Sequence, residues 1–141
     1  MTASTVDKYA FLVEKLYELT LGSKVEWSVT EAGGRYVAKI GNRRVAIESE
    51  YRGNGDPDIV LSIVDDSDKT IDSFTDVDLV DSIPRVEGYK NYYMLMSDLL
   101  RRVARRATGA EDALDAILTD LGAEQGEVPP RRLKPRDALE F

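Results

Sequence analysis

The sequence predicts an α+β domain: an N-terminal helix, an antiparallel meander sheet of four to five strands, and two C-terminal helices packed on one sheet face. Two observations lead there. Apolar residues recur at helical spacing near the start, alternate every second position between about residues 25 and 74, and return to helical spacing after about residue 76. Short polar connections, several with Gly, separate the alternating runs, so consecutive strands are most simply antiparallel neighbours. At 141 residues the chain can bury roughly 70% of its unfolded surface, enough for a core without disulfides or metal.

Ser4 or Thr5 can cap a first helix over about 5–21, with Asp7 placed to complete a capping box with Ser4. Tyr9, Leu12, Val13, Leu16 and Leu19 share one face, while Lys8, Glu14, Lys15 and Glu18 are left for solvent. Gly22 suits the position just past the helix end. Val25, Trp27 and Val29 then alternate with polar residues, and Gly33-Gly34 makes a turn. Gly41-Asn42 is a two-residue hairpin signal of type I′ or II′. The inward set runs through Trp27, Tyr36, Ile40, Val45, Ile47, Ile59, Leu61, Ile63 and Ile71. The opposite face holds Val37, Ala46, Val60 and Val64, which is less polar than an exposed strand face usually is.

Beyond the strands, Asp76 can cap a short turn that ends before Pro84. A helix from about Tyr89 to Ala107 carries Tyr89, Tyr92, Tyr93, Met96, Leu99, Leu100 and Val103 on one face, and Gly109 ends it. A last helix, about 110–121, presents Ala113, Leu114, Ile117, Leu118 and Leu121. Residues 1–122 thus form the expected domain. Residues 123–141, with Pro129, Pro130 and Pro135, form a flexible C-terminal tail unless Leu139 and Phe141 dock.

The composition excludes much chemistry. With no Cys and no His, thiol nucleophiles, Ser-His triads and zinc fingers are out of reach. No apolar run is long enough for a membrane span and no signal-peptide core is present, so a cytoplasmic location is expected. No phosphate-binding Gly loop or other cofactor motif occurs, and no cofactor is expected. The net charge of -7 disfavours nonspecific binding to nucleic acid or anionic lipid.

Charge is unevenly placed. Residues 56–81 hold nine Asp against Lys69, a net -8 that could attract a divalent cation, although Asp also builds turns and caps. The calcium-loop template fails there, because Asp66 and Asp68 are followed by Thr70 and Ile71. Arg101, Arg102, Arg105 and Arg106 form two adjacent ridges near one helix end, the sign that the helix dipole favours. Their guanidinium forks suit an acidic protein surface, or the Asp-rich stretch of a second copy. Such association should weaken as salt rises.

These features point to a non-catalytic protein-binding module: an adaptor, an immunity- or antitoxin-like protein, or a regulator. Its expected contact residues are Arg101, Arg102, Arg105 and Arg106 with Val37, Val60 and Val64 of the outward sheet face. Homo-oligomerisation is one form of that binding. One alternative is a carboxylate-based, divalent-metal-dependent enzyme such as a nuclease. The element order is similar to the restriction-endonuclease-like core, and Glu48 and Glu50 share a strand face, but Glu at position 50 removes the expected Glu-x-Lys pair. Another is a nucleic-acid binder using the Arg-rich helix end. Deleting residues 123–141 should leave the Tm within a few degrees. A loss above about 2 kcal/mol, the size seen when buried apolar side chains are removed, would mean that Leu139 and Phe141 dock.

Overall fold

Local chemistry sets the first helix. In the computed structural model, which describes residues 3–51, 53, 55–123, 126 and 128–132, α1 spans Thr5–Leu21. Ser4 Oγ accepts from the Asp7 N–H at 3.1 Å and Asp7 Oδ2 accepts from the Ser4 N–H at 3.2 Å, which closes the capping box. Five strands follow: β1 Ser28–Val29, β2 Tyr36–Ile40, β3 Arg43–Glu50, β4 Asp58–Val64 and β5 Thr70–Thr75. They pair antiparallel in sequence order. The β2–β3 hairpin turns on Gly41, whose φ of 63° fits the first position of a type II′ turn. A 3₁₀ turn, Asp76–Leu79, leads into the connection before α2, Tyr92–Ala107, and α3, Ala110–Asp120, comes last. The chain therefore has the predicted α+β arrangement.

One capping expectation and one helix boundary change. Thr75, not Asp76, caps the 3₁₀ turn, with Thr75 Oγ1 accepting from the Val77 N–H at 3.1 Å. The Asp76 carboxylate instead accepts from the Ile59 N–H at 2.8 Å and joins the turn to the start of β4. The second helix begins at Tyr92, because Asn91 Oδ1 caps the Met94 N–H at 2.8 Å. Tyr89 consequently lies outside the helix.

The core forms between α1, α2 and one sheet face. Val13, Leu16, Trp27, Val45, Ile47, Ile59, Leu61, Phe74, Leu79, Leu95, Met96, Leu99 and Val103 are all buried in a single cluster. Trp27 Nε1–H donates to Thr20 Oγ1 at 3.1 Å, so both polar atoms have partners inside. Tyr9 stacks on Phe74 with ring centroids 4.1 Å apart, and its hydroxyl donates to the Asp72 carboxylate at 3.0 Å.

Ile40 and Ile71 leave the expected inward set. Ile40 is exposed beside the hairpin turn. Ile71 is 53% exposed, because the β4–β5 register pairs Ile63 with Asp72 and Val64 with Thr70 and so skips it. That bulge turns Asp72 towards Tyr9. An inward-pointing charge on the outermost strand also discourages addition of a further strand.

Residues 1–110 form one compact unit and residues 111–141 a second, which includes nearly all of α3. Gly109, at φ 73°, ends α2 just before that division. Within the second unit, α3 sets Leu114, Ile117 and Leu118 against Glu111, Asp112 and Asp115. Leu139 and Phe141, whose docking would overturn the expectation of a flexible tail, lie outside the described residues.

Leu61→Ala and Ile47→Ala should each lower the unfolding free energy by about 2–5 kcal/mol, read from urea midpoints. Ile71→Ala should cost less than about 0.5 kcal/mol, the usual size for a surface position.

Candidate functional site

Among the described residues, α1, α2 and the 3₁₀ turn all gather on the Ile47–Leu61 side of the sheet. The other face carries Val37, Ala46 and Ser62 in one cross-strand row, and Glu48, Val60 and Thr75 in the next. Ala46, Val60 and Val64 are nevertheless only 1%, 8% and 0% exposed. Charged side chains stand beside them. Arg44 lies directly across from Val64, and its Nη2 reaches past it to donate to the carbonyls of Asp65 at 3.0 Å and Asp66 at 3.3 Å. Arg35 Nε–H donates at 3.2 Å to Glu48 Oε2, which sits across from Val60.

The expected apolar face is therefore a charged one with an apolar floor. Of its four hydrophobic positions, only Val37 keeps appreciable exposure. Asp68 Oδ1 lies 3.9 Å from Arg35 Nη1 and 4.0 Å from Arg44 Nη2. Two shallow grooves, of about 530 and 630 Å³, share Val37 and Arg44. Lys24 and Lys39 line the first, and Thr30, Arg35 and Asp68 the second.

The four arginines of α2 have a different setting. Arg101 Nη2 and Arg102 Nε both donate to Asp98, the latter at 3.0 Å. The Arg102 guanidinium also lies over the Tyr17 ring, 5.7 Å from its centroid. Arg106 Nη1 donates to Ser23 Oγ at 2.8 Å, just past the end of α1. Arg105 is partly buried and has an interaction of its own. The ridge is thus partly neutralised from within.

Asp98 also accepts a hydrogen bond from the Tyr89 hydroxyl, which contacts the Tyr17 hydroxyl at 2.6 Å. Burial pushes the Asp98 carboxyl up, but hydrogen bonds from Tyr89, Arg102 and Arg101 outweigh it and hold the group at about 2. Burial, reinforced by the bond to Asp98, pushes the Tyr89 hydroxyl far above its ordinary value. Tyr92 is raised by burial and by its 2.7 Å hydrogen bond to Glu14. The tyrosines that punctuate 89–93 in the sequence thus tie the connection before α2 to α1.

The Asp-rich segment supplies caps and turn bonds. Asp65 Oδ1 accepts from the N–H groups of Ser67 and Lys69, both at 2.9 Å, and Asp78 Oδ2 from that of Thr75 at 2.9 Å. Among the described residues, no group of three or more acidic side chains is placed to hold a metal ion. No helix there is long and apolar enough to cross a membrane.

A further groove of about 530 Å³ runs beside α1 and is lined by Phe11, Leu21 and Val86 with Glu14, Lys15 and Arg85. Its charges are internally matched: Lys15 pairs with Glu18 at 3.8 Å and Arg85 with Glu14 at 4.0 Å. Phe11, an aromatic residue off the apolar stripe, was the one signal of this groove in the sequence. Arg35 and Arg44 had no local signal as site residues, because their neighbours in space come from other strands.

The Asp98 carboxyl is depressed from 3.8 to about 2, so its contribution to stability is present above pH 3.8 and is lost as pH falls through about 2. Asp98→Asn should therefore be less stable than the wild-type chain at neutral pH. Denaturant titrations over that acid range should show the difference shrinking. No family model matches the chain, and neither does any curated protein or solved structure.

Proposed function

We propose that the chain is a non-catalytic, cytoplasmic protein-binding module, of the adaptor, immunity or regulatory kind. It engages another protein through the sheet face that α1 and α2 leave uncovered. One observation carries this reading: two adjoining grooves meet over Val37 on that face, framed by the partly buried Arg35 and Arg44. A flat surface with an apolar floor and fixed charged groups suits a protein partner, because the floor favours burial and the charges select orientation. The α2 arginines flank a different part of the molecule, where Asp98 already draws two of them.

The test is capture from native lysate by the immobilised wild-type chain and by Val37→Glu, with mass spectrometry to identify what is held. A protein retained by the wild type and lost from the variant, with an unchanged circular-dichroism spectrum, supports the reading. Equal retention by both, or hydrolysis of nucleic acid dependent on magnesium or manganese, overturns it.

A further inference from the structure

Arg35 and Arg44 stand on the same sheet face, and Asp68 approaches both. At 3.9 and 4.0 Å its carboxylate is in ion-pair range of each guanidinium but beyond hydrogen-bond distance. Asp68 is also the most exposed of the three, at 62% against 19% for Arg35 and 33% for Arg44. Among the described residues, the hydrogen bonds of these arginines use Nε of Arg35 and Nη2 of Arg44, and none is recorded for their other N–H groups, which can meet a closer acceptor. Two partly buried guanidinium groups beside a loosely held carboxylate make a site that a better-placed carboxylate can take over, since such forks favour bidentate contacts.

Resting on the reading of this face as the binding surface, we infer that Arg35 and Arg44 form a carboxylate-recognition site, filled in the free chain by Asp68. Its ligand is an acidic side chain from an extended segment of a partner protein.

The surroundings fit that occupant. Val37 lies between the two grooves and offers an apolar seat for the stem of a Glu or Asp. Lys24 and Lys39 line the adjoining groove, within reach of a second acidic residue of the same segment. A nucleic-acid backbone fits less well. It carries a charge about every 1.7 Å along a duplex, and here it would meet Glu26, Glu31 and Glu48 among the cations.

Asp68 can be exchanged without dismantling its turn. The turn is tied by Asp65, whose side chain takes two N–H groups and whose carbonyl takes that of Asp68 at 3.0 Å. Asp68 has φ 64°, a conformation that Asn also adopts readily.

The probe is a blocked pentaglutamate peptide, followed by amide NMR shifts of the full chain. Wild type should show shifts confined to the outer face around Val37 and Arg44. Asp68→Asn should tighten binding about two- to fivefold, the scale of one exposed ion pair. Arg35→Gln with Arg44→Gln should abolish it. Absence of shifts in both wild type and Asp68→Asn, unchanged or weaker binding by Asp68→Asn, or shifts centred on Arg101 and Arg105 overturns the inference. So does equal competition by a single-stranded oligonucleotide. A doubled solution mass that returns to one chain in the double Arg variant would place a second copy on the face, and also overturns it. The broader reading fails separately: it falls if Val37→Glu keeps its captured protein, whereas loss there with a silent peptide removes only the carboxylate site.

Discussion

A five-stranded antiparallel sheet has two faces, and α1 and α2 both pack on the same one. That asymmetry organises the rest of residues 1–110. On the covered face, large apolar side chains meet the helices, and Trp27 is accommodated because Thr20 supplies an acceptor for its indole N–H. The face that α1 and α2 leave uncovered carries Ala46, Val60 and Val64, which are buried, beside Arg35, Arg44 and Glu48, whose polar heads are hydrogen-bonded. The binding surface proposed for this protein lies on that face.

Two carboxylates of the helical layer each collect several donors. Asp98 sits where Tyr89, Arg101 and Arg102 converge, and Glu14 takes both the Tyr92 hydroxyl and the Arg85 N–H. A buried carboxylate without such donors would be costly. With them, it fixes the path of the connection between the 3₁₀ turn and α2. The same bonds draw charge from Arg101 and Arg102 of α2.

The acidic character of the chain has a structural use as well as a surface consequence. Asp65, Asp72, Asp76 and Asp78 each accept from a backbone N–H or a tyrosine hydroxyl. Asp68 differs, since its carboxylate hovers between two arginines without a hydrogen bond to either. A side chain in that position is easily displaced, and the turn that carries it does not depend on its charge.

Periodicity alone determined the elements and their order. The Ser4 cap, the Gly41 hairpin and the alternation through Val45 and Ile47 are local signals, readable because helix and strand repeat at different intervals. Local reading ran out where a residue's role depends on a distant neighbour. Tyr89 continued the apolar pattern of α2, yet the Asn91 cap excludes it from the helix and Asp98 claims its hydroxyl. Ile71 alternated correctly, yet a register shift against β4 turned it outward. Val60 and Val64 stand across from Glu48 and Arg44 of the neighbouring strand, and their burial had no local signal in the sequence. The meeting of Arg35, Arg44 and Asp68 had no sequence signature, because strand pairing, not chain proximity, brings residues 24 to 33 positions apart within ion-pair range.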